Sequence, residues 1–174
     1  IHVILPQSIY PIVASRFFNC VYHPYEDNPA PDASFFSRID AVSFGSGLTN
    51  HPGKTELLDH IIRQCVTPLI IDADDGFGLG RALNAQYGCM RIMQAGAAGV
   101  LVTDTSELGR KGQLSIPDAC LRFSAARAGL NANGMNGFLI ARCDSDLVNE
   151  FDDTVARCKA YIDAGADMLC ILWM

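Results

Sequence analysis

Short apolar runs alternate along the chain with segments in which apolar residues recur every three to four positions. The runs are too short for helices and rich in β-branched residues, so they predict six β-strands, at residues 2–5, 40–45, 68–72, 99–103, 137–142 and 167–172. The periodic segments between them predict amphipathic helices, such as the one at residues 56–65. Because the strands are apolar on both faces, we expect a parallel sheet covered by helices.

Helix boundaries can be predicted from three residues. Asn84 is placed to cap a helix that runs to Ala95, whereas Pro117 suits the first turn of the next helix and Gly129 its end. Residues 19–38 break this rhythm with three prolines and several aromatic residues. They predict a long surface loop whose aromatic side chains pack either on a partner or on the protein itself.

About six βα units can form either a doubly wound sheet or part of a (β/α)8 barrel, and the number of strands does not separate the two. Polar residues follow several different strands, which favours the barrel because its active site is built from many strand ends. We therefore predict an α/β fold of the (β/α)8 TIM-barrel type. Residues 1–174 would form a single partial barrel domain.

Composition excludes several classes of function. Net charge is -6 and no run of Lys or Arg occurs, which argues against a nucleic-acid surface or a polybasic membrane anchor. No apolar run approaches the ~18 residues of a membrane span. The seven cysteines form no CxxC pair, so we expect buried thiols and a reducing intracellular compartment, either cytoplasm or mitochondrial matrix.

The third predicted strand ends in a group of aspartates, Asp72, Asp74 and Asp75. In an extended stretch Asp72 and Asp74 point the same way and could share a hard cation such as Mg²⁺. The same spacing also fits an Asx-type turn in which one carboxylate caps the following helix. Spacing alone leaves both interpretations open.

Other strand ends supply possible ligand-binding groups. Ser46 and Gly47 follow the second strand and could hold a carboxylate, although taken alone they are explained more simply by a plain glycine turn. The fourth strand ends at Thr103. Arg142 in the fifth strand suits bidentate recognition of a substrate carboxylate, and the alternative is an ion pair with a neighbouring aspartate such as Asp144.

Four motifs in order resemble the isocitrate lyase and phosphoenolpyruvate mutase superfamily: DAVSFGSGLTN at 40–50, PLIIDADDGFG at 68–78, QAGAAGVLVTD at 94–104 and FLIARCDSD at 138–146. The resemblance implies a (β/α)8 barrel that binds Mg²⁺ and a small 2-oxo or hydroxy carboxylate. It also implies that a carbon-carbon or carbon-phosphorus bond is made or broken through an enolate-like intermediate. Family members commonly form homo-oligomers.

The same resemblance implies a role for each candidate residue. Asp74 would bind the metal directly and Asp72 would bind it through a water molecule. The hydroxyl of Ser46 and the backbone amide of Gly47 would hold substrate oxygens. Arg142 would grip the substrate carboxylate.

Three departures from the family pattern bear on activity. Thr103 stands where the family has a glutamate, and a short stretch between Ser106 and Lys111 replaces a lysine-rich loop with a KKCGH-like motif. Six predicted strands are also fewer than the eight of a full barrel. We therefore predict a degraded active site in a non-catalytic scaffold or accessory subunit of a larger assembly. The alternative is an active Mg²⁺-dependent carbon-carbon lyase or phosphomutase.

Overall fold

The computed structural model describes residues 2–7, 10–15, 21–25, 33–44, 54–76, 81–106, 112–145 and 150–171. The chain divides into two compact units, one from residues 1–40 and 50–67 and the other from residues 41–49 and 68–174. Ser46 and Gly47 lie outside the described residues. The single-domain assignment stays a prediction.

In its described residues, the first unit contains two parallel strands and three helices. Strand β1 (His2–Pro6) pairs with β2 (Val21–Tyr25) from His2 opposite Val21 to Pro6 opposite Tyr25. The helices are α1 (Tyr10–Ala14), α2 (Ala33–Phe36) and, after β3 (Val42–Phe44) of the second unit, α3 (Lys54–Gln64). The strand predicted at 2–5 is thus present, with β2 as its partner.

Strand β2 and helix α2 differ from the loop predicted at residues 19–38. The loop interpretation is wrong for these two segments. It gave the three prolines more weight than the strand-forming valine and tyrosines of VYHPY. The aromatic side chains pack within the unit: the ring of His23 meets Phe35 at 4.8 Å, and Tyr22 meets Tyr10 at 5.7 Å. Phe36 is completely buried. Tyr22, His23, Phe35 and Phe36 of this segment therefore pack on the protein itself.

The second unit is built on a parallel sheet of five strands in the order β3-β4-β5-β8-β9. The strands that follow β3 are β4 (Leu69–Asp72), β5 (Gly99–Thr103), β8 (Phe138–Cys143) and β9 (Met168–Ile171). A short antiparallel hairpin, β6 (Thr105–Ser106) and β7 (Gly112–Gln113), follows β5 directly. The five later predicted strands are all present, with boundaries that shift by at most two residues.

Helices α4 (Ala82–Gln94), α5 (Ile116–Leu130) and α6 (Phe151–Asp163) complete this unit, and a 3₁₀ turn (Ala132–Gly134) follows α5. Val100, Val102 and Leu139 are fully buried in the sheet, and Phe123 and Tyr161 from two of the helices pack 4.6 Å apart in the same core. This burial confirms an α/β fold with a helix-covered parallel sheet, consistent with part of a TIM-barrel-type fold. No helix within the described segments is long and apolar enough to cross a membrane.

Of the three predicted helix boundaries, the cap at Asn84 is wrong, whereas Gly129 lies one residue before the end of α5 as expected. Helix α4 begins before Asn84, with Arg81 at its N-cap and no capping side chain, so Asn84 lies in the first turn. Gly129 lies inside the last turn of α5, where an added Cβ would come within 2.1 Å of the Gln86 carbonyl oxygen. Its role is close packing of α5 on α4. Pro117 does occupy the first turn of α5, after a Ser115 cap.

Candidate metal and carboxylate site

The carboxyl ends of β4, β5 and β8 meet at one edge of the sheet. Asp72 lies opposite Leu101, and Thr103 lies opposite Arg142. Because parallel strands end on the same side, the residues that follow these three strands are brought close together. This edge is where a TIM-barrel-type fold places its active site.

The aspartates after β4 form a turn and not an extended stretch. The Asp74 backbone amide donates to Asp72 Oδ1 at 3.1 Å, and Asp74 has a positive φ of 47°, a conformation that Asp tolerates better than most residues. The Thr103 amide donates to the Asp74 carbonyl at 2.8 Å, which fixes the turn against β5. The extended geometry we predicted is wrong. The Asx-type turn is present.

The turn still offers an oxygen donor set of the kind that Mg²⁺ prefers. Mg²⁺ is usually bound by one or two protein carboxylates, with water and substrate oxygens completing its shell. Asp72 and Asp74 provide two such carboxylates, and Asp72 is buried. Within the described part of the chain, no group of three or more His, Cys, Asp or Glu side chains could hold a metal, so this pair would depend on ligands beyond itself.

Arg142 forms a side-on ion pair with Asp144. Its Nε donates to Asp144 Oδ1 at 2.9 Å and its Nη2 to Asp144 Oδ2 at 3.1 Å. Burial lowers the pKa of Arg142, but the hydrogen bonds and charge of Asp144, with the charges of Asp72 and Asp74, outweigh it and raise the pKa. The charges of three carboxylates thus act on one guanidinium, and this excess of negative charge suits a bound cation. The structure places Asp72, Asp74 and Arg142 of the predicted site at the same end of the sheet.

Two threonine hydroxyls hold the same aspartate. The Oγ1 atoms of Thr103 and Thr105 each lie 3.0 Å from Asp144 Oδ2 and 2.9 Å from one another. Thr103 is only 2% exposed. Thr103, which the resemblance places at the position of the family's glutamate, therefore lies within hydrogen-bond distance of a carboxylate, although it carries none itself.

A fully buried carboxylate, Asp104, supports this edge from behind. Its Oδ2 accepts from Tyr161 OH at 2.7 Å and from Gln113 Nε2 at 2.8 Å, while its Oδ1 accepts from the Asp144 amide at 3.0 Å. Burial, followed by the hydrogen bond to Asp104, raises the pKa of Tyr161. Asp104 had a signal in the sequence, since it directly follows a strand. Gln113 and Tyr161 are distant in sequence and had none.

Arg122 was also missed. It projects from α5 and is 1% exposed, and its Nη1 donates to the carbonyl oxygens of Thr103 at 2.7 Å and Thr105 at 2.6 Å. Burial lowers the pKa of Arg122, although the charges of Asp75 and Asp104 oppose this effect. A charged residue inside an apolar helix face gives no sequence signal of its target. Its bonds fix the backbone that carries the two threonine hydroxyls.

The chain is similar to several known proteins. Residues 45–174 match the phosphoenolpyruvate phosphomutase family. The chain is 34% identical to 2-methylisocitrate lyase of Escherichia coli K12 over 109 residues, which cover 60% of this chain and 36% of that protein. It is 31% identical to oxaloacetate decarboxylase 2 of Pseudomonas fluorescens Pf0-1 over 171 residues, which cover 90% of this chain and 57% of the relative.

A solved structure shares the fold. Phosphonopyruvate hydrolase, determined in complex with oxalate and Mg²⁺, superposes with a TM-score of 0.68 at 23% identity, over 83% of this chain and 56% of that one. The chain thus spans between about a third and somewhat more than half of the length of these relatives. The match across residues 45–174 shows that the chain belongs to the phosphoenolpyruvate phosphomutase family, within the isocitrate lyase and phosphoenolpyruvate mutase superfamily that its motifs resemble.

Proposed function

We propose that this chain forms a site for Mg²⁺ and a small carboxylate that no longer carries out lyase chemistry, and that it serves as a binding module or accessory subunit of a larger assembly. The observation that carries the proposal is Thr103. A threonine hydroxyl stays neutral at physiological pH, and this one lies within hydrogen-bond distance of Asp144. It cannot supply the negative charge that the family's glutamate would bring to this edge.

The retained binding groups suit a cation and a carboxylate. Asp72 and Asp74 would hold Mg²⁺, which would supply a Lewis acid for the substrate oxygens. Arg142 uses Nε and Nη2 on Asp144, so Nη1 remains directed to other partners and can bind a ligand carboxylate. Ser46 and Gly47 would complete the ligand contacts.

The segment after β5 also supports loss of lyase chemistry. Ser106 pairs with Gly112 in the β6-β7 hairpin, so only residues 107–111 lie between the two strands. Their sequence, ELGRK, contains no cysteine. The proton-transferring cysteine that the resemblance assigns to this loop in lyases therefore has no counterpart here.

A second candidate function is an active Mg²⁺-dependent lyase or phosphomutase. It is favoured by the common position of Asp72, Asp74 and Arg142 at one sheet edge, because a metal near a carboxylate-binding arginine is also what Lewis-acid catalysis requires. The curated relatives are a lyase and a decarboxylase.

Calorimetry and an activity assay on the same preparation separate the two candidates. We expect the chain to bind oxalate in the presence of Mg²⁺ and Asp74→Asn to lose this binding. We also expect no pyruvate to form from 2-methylisocitrate or oxaloacetate above the uncatalysed rate. Turnover that Asp74→Asn abolishes would overturn the binding-module proposal, and absence of Mg²⁺-dependent oxalate binding would overturn both candidates. Light scattering of the same sample would test the proposed assembly.

A further inference from the structure

We propose that Asp144 is a positioning residue that aims Arg142 at the ligand carboxylate, and that Thr103 takes part in ligand binding by holding Asp144. This inference rests on the proposed carboxylate-binding function. It gives Thr103 a role other than that of a lost glutamate.

The side-on ion pair fixes the direction of the guanidinium. A planar guanidinium that donates through both Nε and Nη2 to one carboxylate can neither tilt nor rotate without breaking a hydrogen bond. Only the Nη1 side then faces away from Asp144. With the Arg142 side chain 25% exposed, this side can meet a ligand from solvent.

The Asp144 carboxylate is held mainly by the protein, and its Oδ2 has no capacity left for a ligand. An ionised carboxylate accepts about four hydrogen bonds. Here Oδ1 accepts from Arg142 Nε, and Oδ2 lies within hydrogen-bond distance of Arg142 Nη2, Thr103 Oγ1 and Thr105 Oγ1. Its side chain is 11% exposed. Asp144 is therefore suited to orient Arg142.

Two buried charges hold the frame around Asp144. Arg122 binds the carbonyl oxygens of Thr103 and Thr105, which sets the backbone from which both hydroxyls project. Asp104 accepts from the Asp144 amide and so sets the start of the segment after β8. Arg122 of α5 thus positions the two hydroxyls, and Asp104 after β5 positions the Asp144 backbone. Both arrangements exist before any ligand binds.

The test uses an isosteric change that removes one hydroxyl and no charge. We compare Thr103→Val with Thr103→Ser, which retains the hydroxyl, by titrating each variant with Mg²⁺ alone and then with oxalate at saturating Mg²⁺. The expected result for Thr103→Val is about tenfold weaker oxalate binding, the loss of roughly one charge-assisted hydrogen bond, with Mg²⁺ affinity changed less than about twofold. Thr103→Ser should bind oxalate like the unaltered chain.

Two further variants serve as a second test and as a control. Thr105→Val repeats the test at the less buried threonine, in case Thr103→Val does not fold. Asp167→Asn breaks an Arg-Asp pair at the other end of the same sheet and should leave both titrations unchanged.

The outcomes separate this inference from the function on which it rests. If the unaltered chain binds no oxalate, both are overturned. If it binds oxalate and both valine variants bind equally well, only the positioning role is overturned. A parallel loss of Mg²⁺ and oxalate affinity in Thr103→Val would also overturn it, because that result indicates general loosening of the edge.

Discussion

Two arginine-aspartate pairs lie at opposite ends of β8 and differ in what they bind. Arg142 and Asp144 lie at the carboxyl end, where the guanidinium uses two nitrogens on one side chain. Arg127 and Asp167 lie at the amino ends of β8 and β9. There the arginine donates to the carbonyl oxygens of the glycines that precede the strands as well as to its aspartate.

The difference separates a stabilising arginine from one that can bind a ligand. All three nitrogens of Arg127 are satisfied by the protein: Nε donates to Gly165 O at 2.9 Å, Nη1 to Gly137 O at 2.7 Å and Nη2 to Asp167. These bonds tie α5 to the starts of two strands. In parallel α/β folds the amino ends of strands contribute stability and the carboxyl ends carry the chemistry, and the two arginines follow that division.

The largest expected effect comes from removing the stabilising arginine. Arg127→Met should lower the free energy of unfolding by about 2 kcal/mol, because two part-buried carbonyl groups and Asp167 lose their donors. Urea denaturation at pH 7 measures this change. The control is Arg91→Met, since Arg91 is exposed and bonds only to Gln94. A loss as small as that of the control would contradict the stabilising role of Arg127.

Removal of Arg142 should weaken ligand binding strongly and lower the free energy of unfolding only slightly. Arg142→Met should weaken oxalate binding at saturating Mg²⁺ by at least about tenfold. It should cost only about 1 kcal/mol of unfolding free energy, since Asp144 keeps the threonine hydroxyls. Calorimetry and urea denaturation give the two values. If Arg142→Met lost as much stability as Arg127→Met and bound oxalate normally, the two ends would not differ in function.

The sequence predicted the ends of the sheet better than the turns that follow them. Continuous apolar runs located β4 and β5, and hence Asp72 at a carboxyl end. The left-handed conformation of Asp74 depends on the bond from the Thr103 amide to its carbonyl, and these residues are 29 positions apart. Non-local bonds of this kind leave no periodicity in the sequence. The same holds for β2, which is defined by its pairing with β1.

Of these two arginines, only the role of Arg142 could be predicted from the sequence. Arg142 was singled out because it ends a strand, and both of its predicted roles, ligand binding and an ion pair with Asp144, remain compatible. Arg127 lies in a helix, and its targets precede two separate strands. Which carbonyl oxygens a helical arginine reaches depends on how α5 packs, and no local pattern encodes that packing.

Alkaline pH should destabilise the protein in part through a thiol at the carboxyl end of β8. Burial, the largest cause, raises the pKa of Cys143 from 9.0 to about 11. Between these values the unfolded chain loses the thiol proton and the folded chain keeps it. The contribution of this thiol to stability is therefore nearly constant below about pH 9 and falls above it, by about 1 kcal/mol between pH 8 and pH 10.

Urea denaturation of Cys143→Ala at both pH values tests this expectation. The variant should lose about 1 kcal/mol less between pH 8 and pH 10 than the unaltered chain. Arg127→Met should show the same alkaline loss as the unaltered chain, because its ion pair lies at the other end of β8. An alkaline loss that is equal in all three proteins would assign the titration to other groups.

The smallest expected effect comes from two aspartate substitutions, which compare an aspartate held by an ion pair alone with one that also binds the backbone. Asp153 pairs with Arg157 and is 47% exposed, close to the 40% of Asp167. Asp167 also accepts from the Leu139 amide at 2.8 Å, whereas Arg157 keeps the Leu114 carbonyl and Tyr161 hydroxyl as partners when Asp153 is lost. Asp153→Asn should therefore cost no more than about 0.5 kcal/mol, and Asp167→Asn about 1 kcal/mol.

Urea denaturation at low and high salt measures both aspartate variants. Added NaCl should reduce the effect of Asp153→Asn further, since an exposed ion pair is screened, but should change that of Asp167→Asn little. Equal and equally salt-sensitive losses would mean that charge attraction outweighs the bonds to the backbone. The amino end of β8 would then owe its stability to the ion pair itself, and the number of nitrogens that an arginine uses would no longer distinguish Arg127 from Arg142.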